Sequence, residues 1–229
     1  DRETDLLSHG DRVVDLGAAP GGWLQVAAEE VGETGTVVGV DFQRIREVDH
    51  DTVETIKGDM TEERTKDRLS ETIGETDADL VISDMAPNMT GEYDLDHARS
   101  VHLARQAFEV ATEILATDGD FVAKVFQGQD LDALREEIEK GFQYVRTVNP
   151  EASRDSSSEV YLVGKHRLTA PISVGDTREV EIVAVGEEGD GVAEIDGFTI
   201  FVPETAPSET VAVEITDVKP NFAFAERRE

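Results

Sequence analysis

The sequence of 229 residues contains no cysteine and only 21 basic residues against 51 acidic ones. Without cysteine, the chain cannot form a disulfide framework, a thiolate metal site or a cysteine nucleophile. Hydrophobic residues make up 38% of the chain and form no long apolar run, so no transmembrane helix is predicted. The charged and then apolar pattern of an export signal is also missing. We therefore expect a protein that works in the cytoplasm, away from membranes.

The formal charge of −30 at pH 7 has two interpretations. In the first interpretation, the partner is not a nucleic acid, because an acidic surface repels phosphates. Alternatively, the chain is adapted to molar internal salt, where the Debye length falls to about 3 Å and like charges hardly interact. The acids are spread along the whole chain, and the bases comprise 15 Arg but only 6 Lys. This even distribution favours adaptation to high salt.

Apolar runs alternate with helical stretches up to about residue 167. This alternation predicts an α/β fold with a mostly parallel sheet that is covered by helices on both faces. The predicted strands are 12–16, 36–41, 53–57, 78–84, 120–126, 142–148 and 159–164, and the predicted helices are 23–31, 61–73, 95–116 and 131–140. Because no helix separates the last two strands, we expect them to pair antiparallel.

The sequence pattern changes near residue 168, where helical stretches stop. Short strands follow at 179–185, 192–195, 198–202, 210–218 and 222–226, separated by breaks rich in Gly and Pro. About 60 residues of this kind predict a small five-stranded barrel. We therefore divide the chain into domains 1–167 and 168–229, whose net charges are −20 and −10.

The segment DLGAAPGGW at residues 15–23 follows the first predicted strand and opens the first predicted helix. Small residues at this turn let the backbone approach a nucleotide-like ligand, although a tight turn without a ligand fits the segment equally well. The segment matches neither the GxGxxG nor the GxxxxGK[ST] phosphate motif. It also carries no basic residue for phosphates, which favours S-adenosylmethionine over NAD.

Two acidic residues at strand ends have the spacing of further ligand contacts. Asp41 ends the second predicted strand, about 20 residues beyond the loop, where a carboxylate commonly accepts hydrogen bonds from both ribose hydroxyls. Asp59 follows the third predicted strand. It can accept a hydrogen bond from an adenine amino group, or it can cap the next helix.

Four motifs occur along the first domain: DLGAAPGGW at 15–23, SDMAPNMTG at 83–91, KVFQG at 124–128 and SSEVY at 157–161. Together they resemble the FtsJ/RrmJ family of S-adenosylmethionine-dependent ribosomal RNA ribose 2′-O-methyltransferases. The resemblance covers roughly residues 1–165 and implies a Rossmann-like methyltransferase sheet. The second domain, with GDGVA at 189–193 and NFAFA at 221–225, resembles a TRAM domain, a small OB-like barrel appended to RNA-modifying enzymes.

The cofactor contacts implied by the resemblance fall on five residues: Gly21, Trp23, Asp41, Asp59 and Asp84. Gly21 and Trp23 match contacts of the glycine-rich loop. Asp41 is expected on the ribose and Asp59 on the adenine, whereas Asp84 faces the methionine end and the reacting methyl group. S-adenosylmethionine is the expected cofactor, and we expect no metal.

The catalytic aspartate, second lysine and glutamate of the family match Asp84, Lys124 and Glu159. A ribose hydroxyl must lose its proton as it attacks the methyl group. Burial favours a neutral lysine that can take this proton, whereas neighbouring carboxylates favour the charged form. Lys124 is therefore expected either as the base or as the group that steers the hydroxyl, with Asp84 and Glu159 positioning it. Most of the acceleration is expected from alignment of oxygen, methyl carbon and sulfur.

The family's first catalytic lysine has no counterpart in this sequence. It lies upstream of the segment matched by Asp1–Leu7, and we expect it to belong to a part of the protein outside this sequence. The expected reaction is 2′-O-methylation of a uridine ribose in large-subunit (23S) ribosomal RNA. Two alternatives stay open: a transfer RNA ribose 2′-O-methyltransferase, and a ribosome-assembly factor that binds RNA without methylating it.

The expected partner is ribosomal RNA, within the large ribosomal subunit. Because residues 1–167 contain only 17 bases, few phosphate contacts are available. Recognition is therefore expected to rely on shape, stacking and the ribose hydroxyl. Phe222 and Phe224 alternate along one predicted strand, where they either stack on bases or pack in the barrel core.

Overall fold

The computed structural model describes residues 6–74, 77–149, 158–186 and 189–228. Internal contacts divide the chain into two compact units, Asp1–Lys165 and His166–Glu229. The first unit therefore ends two residues before the predicted end of the first domain. Each unit has its own hydrophobic core, as expected for separately packed domains.

The first unit is built on a sheet that has seven strands within the described ranges. In chain order they are β1 (Arg12–Leu16), β2 (Thr36–Asp41), β3 (Val53–Lys57), β4 (Ala78–Ser83), β5 (Leu115–Phe126), β6 (Phe142–Val148) and β7 (Glu159–Arg167). They lie side by side in the order β3-β2-β1-β4-β5-β7-β6. The strands from β3 to β5 are parallel, and β7 pairs antiparallel with β5. The predicted mostly parallel α/β sheet is confirmed.

Helices cover both faces of this sheet. In the described part of the chain they are α1 (Gly22–Val31), α2 (Glu63–Ile73), α3 (Tyr93–Ile114) and α4 (Leu131–Glu139). Neighbouring residues of a strand point to opposite faces, so Val13 packs with α1 whereas Val14 packs in the larger cluster formed with α2, α3 and α4. None of these helices is long and apolar enough to cross a membrane.

The second unit is a barrel with six strands in the ranges described. They are β8 (Thr177–Glu181), β9 (Ala184–Val185), β10 (Gly191–Ile195), β11 (Phe198–Val202), β12 (Thr210–Val218) and β13 (Phe222–Arg227), in the order β8-β12-β13-β11-β10-β9. The expectation of five strands is wrong because the predicted strand 179–185 is interrupted at Ile182 and Val183. Its first part pairs with β12 and its second part with β10, so the sheet closes on itself.

Three phenylalanines lie outside the barrel core, and we call Phe201, Phe222 and Phe224 the aromatic cluster. Their ring centroids are 5.4 to 5.9 Å apart, and Phe224 is 40% exposed. The core is filled by the residues that alternate with them, such as Ile200 and Ala223, which have no exposed surface. The alternative that Phe222 and Phe224 pack in the core is therefore wrong.

The direction of the strands positions the candidate site. Because β1 to β5 are parallel, their carboxyl ends meet at one edge of the sheet, which is where α/β folds bind ligands. The glycine-rich loop follows β1 at this edge, and Asp41 ends β2. Asp84 follows β4, and Lys124 lies near the end of β5.

Phe121 on β5 provides a test of this core. It has no exposed surface, and its ring centroid lies 5.7 Å from that of Phe108 and 6.3 Å from that of Phe142. The change Phe121→Ala removes a large buried ring, so we expect the free energy of unfolding to fall by about 3–5 kcal/mol. Denaturant unfolding in molar salt, followed by the fluorescence of the single tryptophan, measures this loss of stability. That tryptophan, Trp23, belongs to the same compact unit of the chain as Phe121.

The matched control is Val26→Ala, which shortens a side chain of α1 that is 51% exposed. It should change the free energy of unfolding by less than about 0.5 kcal/mol. A Phe121→Ala loss as small as that of the control would contradict the described packing.

Candidate active site

Asp84 lies directly after β4 and binds three side chains. The Lys124 amine is 3.0 Å from Asp84 Oδ1 and donates to the Asp84 backbone carbonyl at 2.8 Å. The Tyr161 hydroxyl donates to Oδ1 at 2.8 Å, and the Trp23 indole N–H donates to Oδ2 at 3.2 Å. These contacts fix the carboxylate and the amine relative to each other.

Lys124 is only 9% exposed, unlike a lysine at an open strand edge. On the paired strands it lies opposite Tyr161, and Phe126 lies opposite Glu159. Residues two apart on a strand share a face, so Glu159 lies on the same face of the sheet as Tyr161 and Lys124. The structure thus brings together Asp84 and Lys124 by direct contact and adds Glu159 on the same face.

Tyr161 is a residue of the candidate site that sequence reasoning missed, since it entered only as part of a motif. Burial, followed by the charge of Asp84, its hydrogen bond and the charge of Glu159, raises the pKa of Tyr161 above its usual range. The phenol therefore stays protonated and keeps donating to Asp84. The alternation of side chains along β7 could have identified it, because Tyr161 must share the face of Glu159.

A cavity of about 470 Å³ opens beside Asp84 at the carboxyl edge of the sheet, large enough for a nucleoside-sized ligand. Its lining includes Gly17, Asp41, Asp59, Asp84 and Met85. Three of the predicted cofactor residues therefore meet at one cavity. Among the described residues that line it, neither of the two predicted loop contacts, at positions 21 and 23, is present.

The carboxylate of Asp41 connects the end of β2 to the glycine-rich loop. Its Oδ2 accepts a hydrogen bond from the backbone N–H of Ala19 at 2.9 Å, and its Oδ1 accepts one from the N–H of Gln43 at 2.6 Å. Each carboxylate oxygen has a second lone pair. Asp41 can therefore hold the loop and still accept a hydrogen bond from a ligand in the cavity.

Asp59 accepts two hydrogen bonds from Thr61, which lies two residues further along the chain. Its Oδ1 accepts hydrogen bonds from the backbone N–H of Thr61 at 2.9 Å and from its hydroxyl at 2.7 Å. These bonds hold the pKa of Asp59 below its usual value. The residue before α2 is Glu62, so the alternative that Asp59 caps this helix is wrong. Its second oxygen remains an acceptor for a ligand amino group.

Asp15 is a buried carboxylate near the end of β1. It is 1% exposed, and neither of its oxygens has a hydrogen-bond partner among the described residues. Burial, followed by the charges of Asp84 and Asp41, raises the pKa of Asp15 to about 7. A buried and unpartnered carboxylate is costly in its charged form, which is why its pKa rises. The cavity itself is lined by Asp41, Asp59 and Asp84, and three carboxylates around one cavity favour a cationic ligand.

S-adenosylmethionine has the chemistry that this arrangement requires. It carries a positive sulfonium and an ammonium group, which suit a carboxylate that lines the cavity, such as that of Asp84. Its ribose and adenine suit the free acceptor positions of Asp41 and Asp59. No group of three or more potential ligands that could hold a metal ion occurs in the parts of the chain that the structure covers.

The sheet order and the position of the cavity define the class of protein. The order β3-β2-β1-β4-β5-β7-β6 with an antiparallel β7 is the arrangement of Rossmann-like S-adenosylmethionine-dependent methyltransferases. Comparison with known families narrows this class. The profile of the FtsJ-like methyltransferase family matches residues 1–167, and that of the TRAM domain matches residues 171–227. The chain belongs to the FtsJ-like methyltransferase family, uses S-adenosylmethionine as cofactor and carries a TRAM domain.

Two relatives resemble the chain over nearly its whole length. The ribosomal RNA large subunit methyltransferase E of Halorubrum lacusprofundi is 66% identical over 227 residues, or 99% of this chain and 84% of the relative. The protein of the same name from Natronomonas pharaonis is 62% identical over 229 residues, or 100% of this chain and 89% of the relative. Both sources are haloarchaea, which fits the interpretation of the charge as adaptation to salt.

A solved structure supports the fold. The crystal structure of a Plasmodium falciparum protein described as a ribosomal RNA methyltransferase superposes with a TM-score of 0.64 at 23% identity. The match covers 73% of this chain and 92% of that one. At this identity the likeness concerns the fold of the chain alone.

The pKa of Asp15 predicts that the stability of the cofactor-free protein depends on pH. The folded-state pKa of about 7 lies above the ordinary aspartate value of 3.8. Between these values the folded protein holds a proton that the unfolded chain has lost. The free energy of unfolding should therefore fall as the pH rises from about 4 to about 7, and Asp15→Asn should remove this loss.

Urea unfolding of the wild type and of Asp15→Asn at about pH 5 and about pH 8 measures the effect. The Asn variant should gain stability relative to the wild type at the higher pH. Asp59→Asn is the control, because Asp59 is exposed and its pKa is lowered, so both states are ionised at either pH. If Asp15→Asn differs from the wild type by the same amount at both pH values, the proposed ionisation is refuted.

Proposed function

We propose that this protein transfers a methyl group from S-adenosylmethionine to the ribose 2′-oxygen of a uridine in 23S RNA of the large ribosomal subunit. The observation that carries the proposal is the Lys124 amine, held 3.0 Å from Asp84 at the rim of the cavity. The two relatives named above, ribosomal RNA large subunit methyltransferases E, support the target. A ribosomal RNA substrate and the salt-adapted charge also support action in the cytoplasm.

The cofactor is proposed to lie along the carboxyl edge of the sheet. Asp41 accepts from its ribose, Asp59 from its adenine amino group, and Asp84 faces its methionine end. Gly21 precedes α1 with a φ of 115°, a backbone conformation that favours glycine, and lets the loop approach the methionine. When bound, S-adenosylmethionine supplies a methyl group activated by the positive sulfur.

Lys124 is proposed to contact the ribose hydroxyl. Its amine is held by two acceptors of Asp84, so it has little freedom to move. It orients the hydroxyl and stabilises the negative charge that develops on the oxygen as the hydroxyl proton passes to solvent water. Tyr161 holds the same carboxylate from β7, and Glu159 adds its charge on the same face. Alignment of the reacting atoms supplies most of the acceleration.

We propose that the two units have different roles. Residues 1–167 bind the cofactor and methylate, whereas residues 168–229 bind RNA. The aromatic cluster supports the role of the second unit in RNA binding. It lies outside the barrel core, and its Phe224 ring is exposed to solvent. Unpaired bases stack on such rings with about 1–3 kcal/mol each, and stacking needs no positive charge.

Methyl transfer to RNA tests the proposed function. The full-length protein is incubated at molar salt with methyl-labelled S-adenosylmethionine and 23S RNA, and the labelled nucleotide is mapped by nuclease digestion and mass spectrometry. We expect label on the 2′-oxygen of a uridine. Label in transfer RNA alone would contradict the ribosomal target, and cofactor binding without any labelled RNA would favour a role in ribosome assembly.

Lys124→Ala tests the role of the amine. It should lower methyl transfer at least about 100-fold. Cofactor affinity, measured by calorimetric titration, should change by less than about threefold, because the amine contacts the hydroxyl and not the adenosine. The matched control is Lys140→Ala, an exposed lysine after α4. An equal loss of cofactor affinity and transfer in Lys124→Ala would refute the assigned role.

The aromatic cluster predicts how RNA affinity responds to salt and to mutation. Phe222→Ala combined with Phe224→Ala should weaken RNA binding about tenfold or more. The wild-type affinity should change by less than about tenfold between about 0.1 M and about 1 M salt, because stacking releases no counterions. Fluorescence anisotropy of labelled 23S fragments measures both, with the exposed barrel residue Val183 changed to Ala as control. A steep loss of affinity with salt would show that phosphate contacts dominate.

A further inference from the structure

Tyr93 is an exposed aromatic residue for which the proposed mechanism has no role. It is the first residue of α3 and is 56% exposed. It belongs neither to the described residues that line the cofactor cavity nor to the hydrophobic clusters described for this unit. Its ring therefore contributes little to the core and is open to a ligand.

Hydrogen bonds on both sides fix the position of this ring. Its hydroxyl donates to the backbone carbonyl of Gln127, the residue after β5, at 2.6 Å. The loop before it is held by the buried carboxylate of Asp96, which accepts from the backbone N–H groups of Thr90 at 2.9 Å and Gly91 at 3.0 Å. A ring held in this way has already lost rotamer freedom that binding would otherwise remove.

The order of the strands places this ring away from the expected adenosine contacts. Those contacts follow β2 and β3, and β1 and β4 separate these strands from β5 and β7. Gln127, which holds the Tyr93 hydroxyl, follows β5, and its N–H donates to the carbonyl of Ser158, directly before β7, at 2.7 Å. The ring therefore lies beside the two strands that carry Lys124 and Glu159.

The distance from Lys124 suits the nucleotide next to the target. Successive residues of a strand are about 3.3 Å apart, so Gln127 lies about 10 Å beyond Lys124 along the chain. A single ribose is smaller than this distance, whereas a ribose together with the base of the adjoining nucleotide spans it. A target ribose on Lys124 therefore brings a neighbouring base to the Tyr93 ring.

The charges around the ring favour a base over a phosphate. Glu92 and Asp94, the neighbours of Tyr93 in the chain, are exposed acids. Acidic side chains repel phosphates. Stacking of a base on an aromatic ring needs no cation and accepts every base.

We propose that Tyr93 is a substrate-binding residue, and that the base of a nucleotide adjoining the target stacks on its ring. This inference rests on the proposed function and adds a second contact to the RNA strand. With the target hydroxyl on Lys124 and a neighbouring base on Tyr93, the strand has fewer ways to lie beside the cofactor. The second contact thus helps to align the reacting oxygen with the methyl group.

Two variants separate the ring from its hydroxyl. Tyr93→Leu removes the aromatic ring, so the Kd and the KM for a 23S fragment should rise about tenfold or more. Tyr93→Phe loses the hydrogen bond to Gln127 but keeps the ring, so both constants should change by less than about threefold. The KM for S-adenosylmethionine should stay the same in both variants, because the ring does not line the cofactor cavity.

The matched control removes another exposed ring from the same helix. His102→Ala lies about 13 Å further along the axis of α3, so it should leave the Kd and the KM for RNA unchanged. An equal rise of the RNA constants in Tyr93→Phe and Tyr93→Leu would show that only the hydrogen bond matters and would overturn the inference. Unchanged RNA constants in Tyr93→Leu would also overturn it.

Removal of single bases from the RNA tests the same contact in the unmodified protein. A set of 23S fragments, each with one abasic nucleotide, is titrated at molar salt with the protein saturated with S-adenosylhomocysteine. A base missing next to the target uridine should weaken binding to the wild type about tenfold and should have no further effect in Tyr93→Leu. Coupling at the target uridine itself, at a distant nucleotide or at no position would overturn the inference.

The outcomes distinguish this inference from the proposed function. If the wild type methylates a 23S uridine and no adjoining base couples to Tyr93, the inference fails and the proposed function stands. If the wild type methylates no RNA, the proposed function fails. The titrations with abasic fragments require no methyl transfer, so they still decide whether a base stacks on Tyr93.

Discussion

The carboxylate of Asp84 connects parts of the first unit that are far apart in the chain. It binds Lys124 from β5, Tyr161 from β7 and Trp23 from α1. Hydrogen bonds to a charged group are stronger than neutral ones, and a partly buried charge is costly to leave without partners. This one carboxylate contacts the amine, the start of β7 and the start of the first helix. The geometry of the candidate site is therefore a property of three elements held together and not of one motif.

The negative charge of the protein has different effects inside and outside the site. Asp41 and Asp84 line the cavity, and their charges add to the effect of burial in raising the pKa of Asp15, which lies near the end of β1. Such an arrangement favours a cationic cofactor and would repel a phosphate-rich one. On the surface, molar salt screens the repulsion between the chain and RNA. We propose that the aromatic cluster then contributes to RNA binding by stacking where phosphate contacts are few.

Most elements of the fold could be predicted because apolar runs bounded by turn residues identify buried strands. All seven predicted strands of the first unit are present, but β5 begins at Leu115 and not at residue 120, and β7 runs to Arg167 and not to residue 164. Leu115 pairs with Ala78 beyond an irregularity in the register, which local sequence does not reveal. The barrel strand 179–185 is a similar case. It is interrupted because its two parts pair with different neighbours, and pairing partners are distant in sequence.

The candidate site, like the fold, could be predicted from the sequence only in part. The order of strands and the acids at their ends follow from the amino-acid pattern, since parallel strands bring their carboxyl ends to one edge. Asp41, Asp59 and Asp84 meet at one cavity for this reason. The pattern does not reveal that Tyr161 and Trp23 donate to Asp84, across 77 and 61 positions of the chain, or that Asp15 has no hydrogen-bond partner among the residues that the structure describes. Those contacts were decided by tertiary packing, because a hydrogen bond depends on ångström-scale distances that only the assembled sheet and helices set.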